Sequence, residues 1–203
     1  MDVAETRDKI LNEALKLFMK NGYEKTSLND IAQKIEITKP ALYYYFKNKD
    51  ELFLEVTNMF VSVMNQTFNA MLESADNIKT LLENMFCSLE EVIKYYQSVI
   101  IDVEDDTALL RSYFFIYDAM KKFPDFRKKL SSIYSGCAKV GNELFLKAKD
   151  EGVIRDDLDY KTVSYELNAL VEGLLLMNII NAEINLNEIG RKIFENYWKR
   201  LEK

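Results

Sequence analysis

Apolar residues return every three or four positions along most of the chain, and nowhere do they alternate with polar ones over a useful length. From Thr6 to Lys20, Ile10, Ala14, Leu17 and Phe18 mark one helical face. Asn21-Gly22, both tolerant of the left-handed conformation, end that helix. A short second helix follows Ser27, which forms a capping-box pattern with Asp30, a carboxylate standing where Glu or Gln is usual. Leu28, Ile31 and Ile35 make its buried stripe. A third helix opens at Lys39, with Pro40 in the first turn where no N–H is needed, and Leu42 and Phe46 face the core one turn apart. Asn48 and Glu51 cap a fourth, which runs through Phe53, Val56, Phe60, Met64 and Phe68 to Glu73, a rod of about 35 Å. Further helices are predicted over 77–100, 104–122, 125–150, 159–182 and 186–202, broken by Phe123-Pro124-Asp125 and Gly152 among others. The pattern is all-α, with about nine helices.

Composition narrows the chemistry. Six glycines and two prolines in 203 residues suit long helices and short turns. With 48% hydrophobic and 30% charged residues, the chain can bury a core without disulfide or metal. There is no histidine, which excludes Ser–His and Cys–His nucleophiles and every His-containing metal site. Cys87 and Cys137 lack CxxC spacing and read as small buried side chains in a reducing cytoplasm. Nothing calls for a cofactor. The start, MDVAETRDKI, has no apolar signal core, and the greasy stretch Leu170–Ile180 is interrupted by Glu172 and Asn178, short of the roughly 20 residues that span a bilayer. A cytoplasmic protein with no membrane partner is expected.

The two short helices Ser27–Ile35 and Lys39–Phe46, propped by the first, make a helix-turn-helix pattern. From Lys39 to Lys49 there are three lysines and no acidic residue, with Tyr43, Tyr44 and Tyr45 between them. Successive residues fan out by about 100°, so some of these tyrosines face solvent. An exposed tyrosine offers a hydroxyl to phosphate and a ring to sugars and thymine methyls. Residues 1–50 carry nine basic and eight acidic side chains, a net of +1, and the remainder eighteen and twenty-five, a net of −7. A local basic surface, not general coating of nucleic acid, fits that balance.

The run GYEKTSLNDIAQKIEITKPALYYYFKNKDELF, Gly22 to Phe53, closely resembles the DNA-binding head of the TetR family of bacterial transcriptional regulators. The likeness rests on Thr26-Ser27, Asp30-Ile31-Ala32, Leu42-Tyr43, Tyr45-Phe46, Lys49 and Glu51-Leu52. It implies a three-helix head over 1–48 and a larger helical effector-binding and dimerisation domain over 49–203. Thr26, Ser27 and Thr38 are then expected to meet phosphates, helped by helix N-termini. Lys39 and Ala41 reach base edges with Pro40 close by, Tyr43 and Tyr44 touch backbone and bases, Tyr45 divides between contact and packing, and Lys49 neutralises a phosphate. For Thr26 and Ser27 the alternative is capping alone. For the three tyrosines it is packing against protein, and for single lysines simple solvation. Glu36 departs from the family pattern, which has Gly there; it adopts positive φ at about 1 kcal/mol or changes the turn.

The resemblance also implies an effector site in the helical domain, where Met64, Phe68, Phe86, Phe114, Tyr117 and Met120 are the apolar candidates. Tyr165, Asn168 and Glu172 form a polar stripe that serves either the pocket or an interface. The last two helices look like a dimer-forming pair, with Leu167, Leu170, Leu174 and Leu175 on one and Leu186, Ile189, Ile193, Phe194, Tyr197, Trp198 and Leu201 on the other. The implied protein is a homodimeric repressor, released from a palindromic operator in double-stranded DNA by a small apolar effector, and not an enzyme. Two alternatives stand beside it: an all-α Mg²⁺-dependent enzyme built on Asp102, Asp105 and Asp106, or a helical adapter that no longer binds DNA.

Overall fold

The computed structural model describes residues 3–97, 107–181 and 183–203. Among these residues there are ten helices: α1 (Val3–Lys25), α2 (Leu28–Lys34), α3 (Lys39–Tyr45), α4 (Lys49–Glu73), α5 (Ile78–Cys87), α6 (Leu89–Tyr96), α7 (Ala108–Lys122), α8 (Pro124–Asp150), α9 (Tyr160–Ile180) and α10 (Leu186–Leu201). No strand is formed among them beyond one isolated bridge between Ile154 and Glu202.

The ends follow local chemistry. Gly22, at φ 78°, breaks α1 where Asn21-Gly22 was expected to end it. The Ser27–Asp30 capping box opens α2, and Glu36 takes the left-handed conformation at φ 59°, so the turn is kept and the strain accepted. Asn48 Oδ1 accepts from the Glu51 amide at 2.8 Å, while the Glu51 carboxylate accepts from the Lys47 amide at 2.7 Å. The single helix expected over 77–100 is instead two. Ser88 ends α5, its amide bonded to the Asn84 carbonyl, and Leu89 restarts the chain with Glu90 and Glu91 at the new N-terminus. The tail of that expectation, and the Asp102/Asp105/Asp106 cluster, lie outside the described residues.

The helices pack as two compact units, Met1–Val63 with Tyr95–Leu130, and Met64–Lys94 with Ser131–Lys203. Within the first unit the head, expected to end at residue 48, shares its core with the first half of α4 and with α7. Phe53 of α4 lies 4.8 Å from the rings of both Phe18 and Tyr23 and 5.4 Å from Phe115 of α7. Ile10, Ala14, Ile31, Leu42, Phe46, Val56 and Ala119 complete that core. Fully burying one such side chain contributes about 1.5–3 kcal/mol, so a small three-helix head gains from these neighbours.

In the second unit α5 and α10 lie against each other, and a Cβ at Gly190 would fall 1.9 Å from the Phe86 carbonyl oxygen, so only glycine permits the approach. Around it Leu81, Leu82, Phe86, Phe145, Leu186, Phe194, Trp198 and Leu201 are buried. The Tyr197 hydroxyl bonds the Val163 carbonyl of α9 at 3.2 Å, and burial pushes its acidity constant up to about 12.

Candidate nucleic-acid interface

α3 and the residues that follow it concentrate basic and aromatic side chains. Thr38 caps it, its hydroxyl oxygen accepting from the Ala41 amide at 3.3 Å, which leaves Lys39 and Pro40 in the exposed first turn. Leu42 and Phe46 are fully buried and fix the rotation of the helix. That rotation puts Tyr43 and Tyr44 outside, 45% and 77% exposed, with Ala41 and Tyr45 half-buried at the edges. Lys39 Nζ stands 6.0 Å from the Tyr43 ring one turn on, and Tyr44 meets Tyr45 edge-to-face at 5.2 Å. Ser27 is exposed beside them. Its hydroxyl accepts from the Asp30 amide; the same hydroxyl and the Ser27 amide each donate to Asp30 Oδ2 at 2.8 Å, and these two donated bonds hold the Asp30 carboxyl below its ordinary range.

Two residues expected at DNA are placed otherwise. Thr26 is 1% exposed, and its hydroxyl donates to the Leu17 and Gly22 carbonyls at 3.1 and 2.9 Å, a lock at the end of α1. The Lys49 ammonium donates to the carbonyls of Tyr23 and Thr26 at 2.9 and 3.0 Å and lies 4.1 Å from the Tyr23 ring. A cation capping those carbonyls is engaged by its own chain and ties the start of α4 to the end of α1.

A cluster that sequence spacing could not reveal surrounds the same tyrosine. Asp118 Oδ2 accepts from the Tyr23 amide at 3.2 Å, and the Tyr23 hydroxyl donates to Asp50, which also pairs with Lys122 at 2.9 Å. Asp50 is held below the usual carboxylate range, first by the Tyr23 hydroxyl and then by Lys122. Burial raises Tyr23, and Asp50 raises Lys122. Elsewhere on α1, Arg7 bonds Glu55 of α4 and lies 5.3 Å from the Phe46 ring.

The six apolar effector candidates divide between the units. Phe114 and Tyr117 are each 60% exposed, because α7 turns Phe115 and Ala119 inward; one residue of helical phase separates the expectation from the core. Met120 is half-buried in that same unit. In the second unit Phe86 is wholly buried in the α5–α10 core, Met64 is buried, and Phe68 is half-buried with its ring 6.1 Å from Tyr134. Of the polar stripe, Tyr165 is exposed, Asn168 bonds the Ser164 carbonyl of its own helix, and Glu172 accepts from Tyr134. Among the residues expected at a dimer interface, Leu167, Leu174, Leu186, Phe194, Tyr197, Trp198 and Leu201 are buried within the chain itself. Leu170 and Ile189 are exposed, and Leu175 and Ile193 half-buried. α9 adds Leu176, Met177 and Ile180, exposed by 52%, 55% and 77%. Taken whole, α9 is long and apolar enough to cross a membrane by length and composition, which the shorter stretch Leu170–Ile180 did not suggest. Its Glu166 pairs with Arg200 and its Glu172 with Tyr134, as in a helix packed among others.

Residues 10–56 match the model for the amino-terminal domain of bacterial regulatory proteins of the tetR family. The chain is 49% identical over 53 residues to the HTH-type transcriptional regulator QacR of Staphylococcus aureus, covering 26% of this chain and 28% of that protein. Against the first relatives of this kind the match spans about a quarter to a third of their length. The whole fold has likenesses among solved structures. A transcriptional regulator from Saccharomonospora viridis in complex with choline superposes with a TM-score of 0.75 at 18% identity, over 98% of this chain and 100% of that one. FadR of Bacillus subtilis in complex with stearoyl-CoA gives 0.69 at 14%, over 95% and 98%.

Proposed function

We propose, from the premise that the chain belongs to the TetR family of bacterial regulatory proteins, that it is a ligand-responsive transcriptional repressor that binds a palindromic operator as a homodimer. The observation that carries the reading is the exposed face of α3, where Lys39, Pro40, Tyr43 and Tyr44 stand together behind the Thr38 cap, with no acidic residue before Asp50. A helix so presented suits a major groove. Its N-terminus and the exposed Ser27 and Thr38 hydroxyls suit flanking phosphates, Lys39 and Ala41 a base edge, and the two tyrosines sugars and methyls. Tyr45, half-buried, lends its ring to Tyr44.

Reading a palindrome calls for two heads, and the apolar face left exposed on α9, with Ile189 and Ile193 on α10, supports pairing with a second copy. Such a protein works in the cytoplasm, where its DNA is. Regulation by a small molecule is the corresponding use of the second unit. α4 begins in the first unit and ends in the second, so a ligand that binds one setting of α4 better than another changes the spacing of the heads. A coupling of about 1–3 kcal/mol changes operator affinity by roughly 5–150-fold. The solved structures of this fold that hold choline and stearoyl-CoA differ in ligand charge and size, so the fold alone does not choose the effector.

The test is selection of bound fragments from genomic DNA by the purified protein at physiological salt. Enrichment of one palindrome, with half-sites about one helical turn apart, is the expected result. A folded protein that enriches no sequence in the presence or absence of cell extract sinks the reading.

A further inference from the structure

We propose that the corner between α7 and α8 is a second DNA surface, on which Lys121 and Arg127 hold phosphates of the duplex flanking each operator half-site. The inference rests on the reading of α3 as the operator-binding helix and extends that interface to a stretch of chain outside the helix-turn-helix.

Residues 121–129, KKFPDFRKK, hold five basic side chains and one acidic, a net of +4 in a chain whose total is −6. No stretch of nine residues elsewhere exceeds +2. Packing sorts these cations by what holds them. Lys122 turns to Asp50 at 2.9 Å and to the Tyr23 ring. Lys128 pairs with Asp125 at 2.8 Å, and Lys129 donates to the Asn58 side chain at 2.6 Å. Lys121 and Arg127 are exposed, and their side chains make no ion pair or hydrogen bond among the described residues. Phe126 is buried and the Phe123 ring lies 5.8 Å from Phe53, so two aromatic anchors fix the corner on the core of the first unit. Tyr117, one turn before Lys121 on α7, is 60% exposed, which leaves its hydroxyl open to the same backbone.

The corner belongs to the same compact unit as the head. It is seated on residues that border the helix-turn-helix. Asp50, the partner of Lys122, follows Lys49 in the first turn of α4, and Tyr23 leads within four residues to the exposed Ser27 that opens α2. Asp118, one turn before Lys122, accepts from the Tyr23 amide and keeps α7 in place there. DNA suits the two unpartnered cations because a duplex that carries an operator continues past it, with negative charge at every base pair. Arg127 offers a planar fork to a phosphate and Lys121 a mobile point charge, neither of which reads sequence. In a chain of net charge −6 such a patch offsets repulsion where the flanking duplex passes.

Two duplexes are titrated with the full chain by fluorescence anisotropy over a range of salt, one ending at the selected palindrome and one extended by about ten base pairs on each side. The longer duplex should bind about tenfold more tightly and with a steeper salt slope. Lys121→Ala combined with Arg127→Ala should remove that gain, flattening the slope on the longer duplex by about two units or more and leaving the shorter one within about twofold. Lys147→Ala combined with Lys161→Ala makes the same change of charge on exposed residues of the second unit and should alter neither duplex. Unchanged melting temperatures show that each variant keeps its fold. An operator affinity independent of flank length overturns the proposal and leaves the regulator standing. Equal weakening of both duplexes, or equal weakening by the two variant pairs, overturns it too and assigns the effect to net charge. DNA binding that the corner variants leave alone, while they abolish binding of polyglutamate, overturns it in favour of an acidic protein partner. A protein that selects no palindrome is titrated with a duplex of the longer length and random sequence. Weakening there by the corner pair alone upholds the DNA surface and removes the operator reading; no weakening overturns both.

Discussion

The Lys122 ammonium lies 2.9 Å from the Asp50 carboxylate and 4.2 Å from the centre of the Tyr23 ring, which fastens the last turn of α7 to the tyrosine that ends α1. Lys49 approaches the same ring within 4.1 Å, so one aromatic side chain carries two cations and a carboxylate. Tyr23→Phe keeps the ring packed on Phe18 and Phe53 and removes only the hydroxyl. Because Asp50 is largely solvent-exposed, the loss should be modest, about 0.5–1 kcal/mol in urea denaturation. Lys122→Met should cost a similar amount, and the double variant less than both together. Full additivity would show that the contacts act separately.

The same cluster sets a dependence on pH. Asp50 is depressed below its ordinary 3.8, so its contribution is present above that value and is lost as pH falls through the lower folded value. Asp30 has the same sign through Ser27. Lys122 is raised above 10.5, so its contribution is present below 10.5 and disappears as pH rises through the folded value. Melting temperature should therefore form a plateau through neutral pH with limbs on both sides. Asp50→Asn should flatten both limbs; an unchanged acid limb would assign that loss to other carboxylates.

Lys39 and Lys49 should separate cleanly. Lys39→Ala removes an exposed cation from the first turn of α3 and should weaken operator binding by about 1–3 kcal/mol while relaxing preference at one base pair. Lys49→Ala uncaps the Tyr23 and Thr26 carbonyls, so its first effect should be a lower melting temperature. The slope of log affinity against log salt should stay unchanged. A slope reduced by about one unit would return Lys49 to the phosphates.

The exposed face of α9 and the closed contact of α10 should respond oppositely. Met177→Glu places a charge on a face that this chain leaves open, so sedimentation should report monomers with a native circular dichroism spectrum. Gly190→Ala drives a methyl into the Phe86 carbonyl and should destabilise each protomer by about 3 kcal/mol or more, whatever its association state. A Met177→Glu protein that stays dimeric moves the interface elsewhere.

Short-range features of the chain are legible in its sequence. Asn21-Gly22, the Ser27–Asp30 box, Pro40 in the first turn of α3 and the Asn48–Glu51 cap each depend on neighbours within a few residues, and each stands where it was expected. The buried Leu42 and Phe46 follow from their spacing, and with them the outward turn of Tyr43 and Tyr44. Apolar spacing continues across Ser88 and so predicts one helix where α5 and α6 are two, separated only by the restart at Leu89. Phe114 and Phe115 could not be told apart for a similar reason. Adjacent aromatics both fit a helical face, and the rings of Phe53 and Phe60 decide which is buried.

What the sequence determined by itself was helix, cap and turn, and the chemistry of the α3 surface, because these arise between residues a turn or less apart. Tertiary structure alone decided that Thr26 and Lys49 serve the head's own carbonyls, that Tyr23, Asp50, Asp118 and Lys122 meet, and that Glu172 faces Tyr134. Such pairings join positions up to 95 residues apart. They depend on the rotation of each helix about its axis, which the packing of the whole core fixes and no local spacing encodes.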